Sequence, residues 1–168
     1  MVTVRHVPQP IGPGEMGYTC FISYNTRPEE RVVVYRLQTL ASASGITVLL
    51  PLREGHGLTA ETKRRIRDAD SVIAFLTSNV TAAVREELAY AQAQNKLIVP
   101  IADHGAKVSH LGDAHWIKYD PRTDTPGTVE KQGLEFLEGK KQSKDNQQAA
   151  LLAVLAIGLL ALLTSEKS

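Results

Sequence analysis

Two adjacent glutamates, Glu86 and Glu87, are the residues of this sequence whose type and position most favour chemistry. They lie in an amphipathic segment, 81–94, between the apolar runs 71–76 and 96–102. This pattern predicts a helix with an early carboxylate pair between two buried strands. Because a helix N-terminus favours anions, such a carboxylate suits the stabilisation of positive charge better than proton donation. Compensation of the helix dipole on a solvated face is the alternative interpretation of the pair.

The elements that must position these glutamates alternate between strand and helix along the chain. Strands are predicted at 18–24, 46–50, 71–76, 96–102 and 115–119. Helices are predicted around the apolar positions 33–41 and at 59–69, 81–94 and 128–137. Each strand is a continuous apolar run, which is typical of a parallel sheet covered on both faces. We therefore expect an α/β three-layer sandwich with a mainly parallel five-stranded sheet, in which sites gather beyond the carboxyl ends of the strands.

Composition excludes several classes of function. The 19 Lys and Arg residues against 18 Asp and Glu residues give a formal charge of +1, which argues against a nucleic-acid partner. One cysteine, Cys20, supports neither a disulfide framework nor a cysteine metal site, and its apolar surroundings predict a buried, inert thiol in a reducing compartment. The histidines lack the paired spacing of metal ligands on one element, so no metal is predicted.

An ordered set of motifs resembles the TIR (Toll/interleukin receptor) domains of bacteria. The motifs are FISY at 21–24, GITVLL at 45–50, IRDADSVIAFLTSN at 66–79, VREELAYAQ at 84–92 and LIVPI at 97–101. The resemblance covers residues 18–138 and implies a flavodoxin-like fold. TIR enzymes cleave the nicotinamide–ribose bond of NAD+ with one glutamate that lies early in the third helix, directly before an aliphatic residue. By that match Glu87, followed by Leu88, takes the catalytic position, and Glu86 points elsewhere.

The resemblance makes NAD+ a substrate and implies no cofactor. Cleavage builds oxocarbenium character on the ribose, which a nearby carboxylate stabilises. The products are nicotinamide and ADP-ribose, or a cyclic isomer or conjugate of it. The candidate substrate-binding residues are Ser23, Tyr24, Asn25, Thr26, Arg27 and Arg53. For Arg27, a surface ion pair with Glu29 or Glu30 is an equally strong expectation. The loop 52–57 contains Arg53 and is expected to close over the base of NAD+ or to dock on a neighbouring copy of the chain.

One position departs from the family pattern. Many TIR enzymes carry a tryptophan four residues before the catalytic glutamate, and this chain has Ala83 there, which removes an aromatic wall. A prokaryotic antiviral defence or signalling enzyme that depends on self-assembly is the first hypothesis. A non-enzymatic adaptor acting by TIR–TIR association is the second. A nucleoside deoxyribosyltransferase-like N-glycosidase is the third, although the acidic, glycine-rich lead-in expected there is missing.

The ends of the chain are predicted to lie outside the TIR-like domain. The predicted divisions are an N-terminal arm at 1–17, the domain at 18–138, a polar linker at 139–148 and a hydrophobic helix at 149–165. The apolar run 149–163 spans roughly 22 Å at about 1.5 Å per residue, short of the ~30 Å hydrocarbon core of a bilayer. It is expected to be a membrane anchor or, alternatively, a helix that assembles several copies. The lysines at 140, 141 and 144 would then place the domain on the cytoplasmic side.

Overall fold

The structure is a computed structural model that describes residues 17–55, 57–77, 79–103, 106, 116–120, 122–125 and 127–144. Its strands are β1 (Tyr18–Ser23), β2 (Ile46–Leu49), β3 (Ser71–Leu76), β4 (Leu97–Asp103) and β5 (Ile117–Tyr119). Its helices are α1 (Pro28–Ala43), α2 (Ala60–Asp68), α3 (Ala82–Ala93) and α4 (Thr128–Ser143). The predicted alternation of strands and helices is confirmed.

The strands form one five-stranded sheet in the order β2-β1-β3-β4-β5. Every pairing between neighbours is parallel. Flavodoxin-like folds have this order. In it β2 is added on one side of β1, and β3, β4 and β5 are added on the other side. The predicted parallel α/β sheet is therefore confirmed, and the carboxyl ends of β1 and β3 lie side by side at the centre of one edge.

Helices cover both faces of the sheet because successive side chains of a strand point to opposite sides. Cys20 and Ile22 pack into the cluster beneath α1 and α4, whereas Phe21, between them, packs into the cluster beneath α2 and α3. Cys20 is fully buried, and burial raises the pKa of its thiol to about 12. The thiol is therefore protonated at neutral pH, as expected for an inert core cysteine.

α1 begins earlier than the sequence pattern suggested. The polar stretch 25–30 was expected to be a loop, but the helix starts at Pro28, so Glu29 and Glu30 lie in its first turn. Proline suits this position because its missing N–H would have no helical partner there, and the helix dipole favours the two carboxylates. The helix ends where expected, before Gly45, which has a positive φ of 69°.

α3 begins directly after a threonine cap, one residue beyond the predicted start at 81. Thr81 Oγ1 accepts a hydrogen bond from Val84 N at 3.4 Å, so Ala82 is the first helical residue. Glu86 and Glu87 consequently lie in the second turn, and the first turn holds no acidic residue. The dipole effect falls off within the first turn of a helix, so it acts less on this pair than on a carboxylate at the helix start.

α4 extends to Ser143, so the first part of the predicted linker, 139–143, is helical. The end of this helix is fastened to the domain. Lys141 Nζ donates to Ser44 O at 2.9 Å, and Lys144 Nζ donates to Asp70 Oδ2 at 3.2 Å.

The predicted chain ends lie almost entirely outside the described residues. This holds for the arm at 1–17, except Gly17, and for the hydrophobic segment at 149–165. Within the part of the chain that the structure describes, no helix is both long enough and apolar enough to cross a bilayer.

Candidate active site

Glu87 lies on the face of α3 that packs against the sheet. Val84, Leu88 and Ala91 are fully buried on that face, and their packing fixes the rotation of the helix. Glu87 is consequently buried, with 2% of its surface exposed, whereas Glu86 is exposed. The two adjacent carboxylates therefore occupy opposite environments, one inside the edge of the sheet and one in solvent.

Three side-chain donors converge on the Glu87 carboxylate. Ser23 Oγ, at the end of β1, donates to Oε2 at 2.5 Å. Arg53, in the loop between β2 and α2, donates from Nε to Oε1 at 2.9 Å and from Nη2 to Oε2 at 3.0 Å. This two-pronged pairing is the strong, oriented form of an arginine–carboxylate contact. Since a carboxylate can accept about four hydrogen bonds, one acceptor position remains.

Arg53 is itself supported by an aromatic ring. Its guanidinium carbon lies 5.6 Å from the centre of the Tyr24 ring, within the range of a cation–π contact. Burial raises the pKa of the Tyr24 phenol, with Tyr35 adding to the shift and Arg53 opposing it. Arg53 keeps 23% of its side chain exposed, so it forms the outer boundary of the carboxylate site.

Asn25 faces the interior and not the cleft. Its Nδ2 donates to Thr77 Oγ1 at 2.9 Å and to Glu30 Oε1 at 3.2 Å. Its Oδ1 accepts a hydrogen bond from Thr81 N at 3.1 Å. Burial raises the pKa of Glu30, and the hydrogen bonds from Asn25 oppose that shift. The predicted phosphate donor Asn25 is therefore part of an internal network behind Glu87.

The remaining predicted binding residues lie on the surface. Thr26 and Arg27 are exposed, and Arg27 occupies the N-cap position of α1. Burial raises the pKa of Glu30, and the charge of Arg27 is one of the smaller effects that oppose this rise. Of the six predicted binding residues, the structure brings Ser23 and Arg53 to Glu87 and places Tyr24 beside Arg53.

A small cleft adjoins Glu87. Its cavity volume is about 10 Å³, room for about one water molecule and far below the roughly 300–1,000 Å³ of typical ligand pockets. Its lining residues are Leu52, Arg53, Gly57, Leu58, Thr59, Thr62, Ala83, Glu86 and Glu87. The position of the missing tryptophan, Ala83, is thus part of the cleft wall.

The sequence pattern identified Thr59 and Thr62 as a helix start but missed their place in the cleft. Thr62 Oγ1 accepts from Leu52 N at 3.0 Å and donates to Leu52 O at 2.9 Å. These bonds fix the beginning of the β2–α2 loop and so the backbone next to Arg53. Topology could have predicted this position. The loop between β2 and α2 begins at the carboxyl end of β2, so the start of α2 must lie near that end of the sheet.

No group of His, Cys, Asp and Glu side chains suited to a metal ion occurs among the described residues. The histidines of the sequence lie outside them.

A family model described as a TIR domain matches residues 20–132. The chain belongs to the TIR domain family. The match includes Ser23, Arg53 and Glu87, so the whole carboxylate site lies within the TIR domain. A comparison with curated proteins found no match.

Three solved structures are similar to this TIR domain at low sequence identity. The CMP N-glycosidase BcmB of Clostridium botulinum is 20% identical, with a TM-score of 0.52, and the alignment covers 71% of this chain and 98% of that one. The TIR domains of the activated Roq1 resistosome, which recognises the effector XopQ, are 16% identical, with a TM-score of 0.47 and coverage of 87% and 83%. A putative quinone reductase from Klebsiella pneumoniae is 9% identical, with a TM-score of 0.47 and coverage of 79% and 86%.

Proposed function

We propose that this TIR domain cleaves the bond between nicotinamide and ribose in NAD+, giving nicotinamide and ADP-ribose or a cyclic ADP-ribose isomer. One observation carries the proposal. Glu87 is buried at the carboxyl edge of a parallel sheet, beside a cleft, and is oriented by side chains from two other segments of the chain. Active sites of open α/β sheets occupy this edge.

The chemistry requires a stabilised positive charge. As the bond from the ribose C1 to the nicotinamide nitrogen breaks, the bonding electrons leave with nicotinamide and positive charge develops on the ribose. A fixed carboxylate stabilises that charge without needing a proton. Water then forms the new bond to C1 and loses a proton, which completes hydrolysis. Glu87 is the catalytic residue in this proposal, and Ser23 holds its Oε2 oxygen in place.

Substrate must displace part of the Arg53 pairing. Arg53 covers both oxygens of Glu87, and the cleft, with a cavity volume of about 10 Å³, is too small for a dinucleotide. A pyrophosphate group offers the same bidentate geometry to a guanidinium as a carboxylate does. We therefore assign Arg53 to the phosphates of NAD+, which it reaches by leaving Glu87. Gly55 and Gly57, both with positive φ, lie in the same loop and give it the backbone freedom for that movement.

Self-association is the second part of the proposal. Contact of a neighbouring copy with the loop 52–57 would draw Arg53 away from Glu87, so that clustered chains bind NAD+ and separate chains do not. The cellular role that this supports is prokaryotic antiviral defence or signalling.

The occupied carboxylate also favours a second candidate, a TIR adaptor without enzymatic activity. An adaptor requires no free carboxylate, and the Arg53–Glu87 pairing would be permanent in it. The two candidates differ in whether clustering produces nicotinamide.

The test uses the full chain, clustered by a macromolecular crowding agent and incubated with NAD+ or CMP, with chromatography of the released bases. We expect nicotinamide release by the native chain and a loss of about 10²–10³-fold in the isosteric variant Glu87→Gln. No nicotinamide from clustered native chain would refute the proposal and support the adaptor. Release of cytosine from CMP without release of nicotinamide from NAD+ would refute NAD+ as the substrate. It would show that the substrate is a nucleoside monophosphate.

A further inference from the structure

A second polar network lies at the same carboxyl end of the sheet as the proposed catalytic carboxylate. It consists of Asn25, Glu30, Thr77 and Thr81, here called the Asn25 network. Asn25 and Glu30 are almost completely buried, with 1% and 2% of their surfaces exposed. Buried polar side chains are retained when fully hydrogen-bonded, and such networks define one arrangement of the elements that they join.

The Asn25 network joins four elements at the carboxyl end of the sheet. Asn25 follows β1, Glu30 lies in α1, Thr77 follows β3, and Thr81 caps α3. The Asn25 amide contacts the threonines of both neighbouring elements, through Nδ2 to Thr77 and through Oδ1 from Thr81 N. Glu30 holds this amide in place, because its Oε2 accepts from Asn25 N at 2.6 Å and its Oε1 accepts from Asn25 Nδ2 at 3.2 Å.

The same elements carry the two ends of the Ser23–Glu87 hydrogen bond. Ser23 is two residues before Asn25, and Glu87 is six residues after Thr81 on the helix that Thr81 starts. The 2.5 Å contact between Ser23 Oγ and Glu87 Oε2 therefore requires the end of β1 and the start of α3 to keep one relative position. A displacement of about 1 Å at a reacting group can cost about 10²-fold in rate.

We propose that Asn25, held by Glu30, is a positioning residue that fixes α3 against β1 and thereby aims the Glu87 carboxylate. The proposal rests on the proposed function for its rate effects, and on the described contacts for its geometry. Asn25 acts through Ser23 and Glu87 and does not touch substrate. A role in stability alone is the competing explanation.

Asp70, which is hydrogen-bonded to the amino end of β1, offers a matched control. Asp70 accepts a hydrogen bond from Thr19 N at 2.8 Å, and its own N–H donates to Thr19 O at 2.7 Å. Like Asn25, it ties β1 to a neighbouring segment through backbone and side-chain bonds. Asp70→Asn and Asn25→Asp are both isosteric exchanges between amide and carboxylate, one at each end of β1.

Exchanging the amide at position 25 with the carboxylate at position 30 is expected to restore the hydrogen bonds that the single variant loses. Asn25→Asp removes the two donors of Nδ2 and places a second carboxylate against Glu30. Adding Glu30→Gln moves the amide to position 30, where it can donate to the new carboxylate and accept from Asn25 N. The Thr77 hydroxyl can donate to the same carboxylate, and the Thr81 N–H keeps its acceptor. The double variant N25D/E30Q thus retains a hydrogen bond along each connection of the network.

The experiment compares kcat, KM and Tm of the full chain for Asn25→Asp, N25D/E30Q and Asp70→Asn. For nicotinamide release we expect Asn25→Asp to lower kcat about 10²-fold with KM changed less than about threefold. The double variant should recover most of the lost kcat, and Asp70→Asn should lower Tm while leaving kcat near the native value. Equal loss of kcat in Asn25→Asp and Asp70→Asn, or recovery of Tm without kcat in the double variant, would overturn the proposal.

A measurement without activity separates this proposal from the proposed function. The carbon NMR signal of the Glu87 carboxyl, assigned in the full chain, reports the surroundings of that group. We expect it to shift in Asn25→Asp, to return in the double variant and to stay unchanged in Asp70→Asn. A native chain that releases no nicotinamide would refute the proposed function alone, whereas an unchanged Glu87 signal in folded Asn25→Asp would refute the positioning role.

Discussion

The two ends of the parallel sheet each carry a hydrogen-bonded carboxylate, and the two differ in burial and in their partners. At the carboxyl end, Glu87 is buried and receives donors from Ser23 and Arg53. At the amino end, the side chain of Asp70 is 27% exposed and receives Lys144 Nζ and a backbone N–H. Glu87 is desolvated and lies beside a cleft, whereas Asp70 keeps contact with solvent. The comparison shows that a hydrogen-bonded carboxylate becomes a candidate for chemistry when burial and adjoining space coincide.

The charged groups of the amino end have a structural explanation. Lys96 Nζ donates to Arg67 O at 2.6 Å and to Ala69 O at 2.7 Å, which satisfies carbonyl groups at the end of α2. A cation at this position also complements the negative end of the helix dipole. Burial lowers the pKa of Lys96, while Asp70 and Asp68 oppose that shift. These contacts join the residue before β4 to the end of α2.

The largest expected difference between the two ends concerns their ion pairs. Arg53→Ala leaves the Glu87 carboxylate buried without its cation, which we expect to cost roughly 3 kcal/mol in the free energy of unfolding. Lys144→Ala removes the partner of a half-exposed carboxylate and should cost about 0.5 kcal/mol. Urea unfolding of the full chain measures both. Equal losses would show that the two carboxylates are energetically alike.

Two buried serines give a second, smaller contrast. Ser23→Ala removes a hydrogen bond to a buried carboxylate and should cost about 2 kcal/mol. Ser71, at the amino end, is equally buried, but its hydroxyl meets hydrogen-bond geometry with none of the described residues. Ser71→Ala should therefore change the free energy of unfolding by less than about 0.5 kcal/mol. A larger loss in Ser71→Ala than in Ser23→Ala would contradict the asymmetry.

The smallest expected effect is a pH dependence that arises from Glu30 at the carboxyl end. Burial raises the pKa of Glu30 above its unfolded value of about 4.3, so the folded state binds its proton more tightly than the unfolded state. The resulting stabilisation is fully present below about pH 4.3 and is lost as the pH rises through the folded pKa. Relative to Glu30→Gln, the native chain should lose stability as the pH rises above 4.3. Parallel stability curves for the two proteins from pH 4 to 7 would exclude this contribution.

Sequence reasoning located the sheet well because the signal is local. The run 71–76 is apolar after its first residue, Ser71, and β3 has those bounds. The position of Ser23 at a strand end followed from the same rule. The sequence could not predict whether a loop side chain faces the interior or the cleft, because this orientation depends on packing. Asn25 therefore seemed a ligand for phosphate when it faces Glu30 and Thr77.

The placement of Glu87 shows the same division. Its choice over Glu86 came from the family resemblance, and the rotation of α3 that buries it comes from the packing of Val84, Leu88 and Ala91. The pairing with Arg53 joins the β2–α2 loop to α3, which are far apart in the sequence, and no spacing rule predicts such a contact. The resemblance named the carboxylate, and the structure supplies its partners.

The most direct test of the central claim compares the two adjacent glutamates. The initial rate of nicotinamide release from NAD+ is measured for clustered full chains of the native protein, Glu87→Gln and Glu86→Gln. We predict a loss of about 10²–10³-fold in Glu87→Gln and a rate within about threefold of native in Glu86→Gln. If both variants kept the native rate, or both lost activity to the same extent, the assignment of the chemistry to the buried carboxylate would be contradicted.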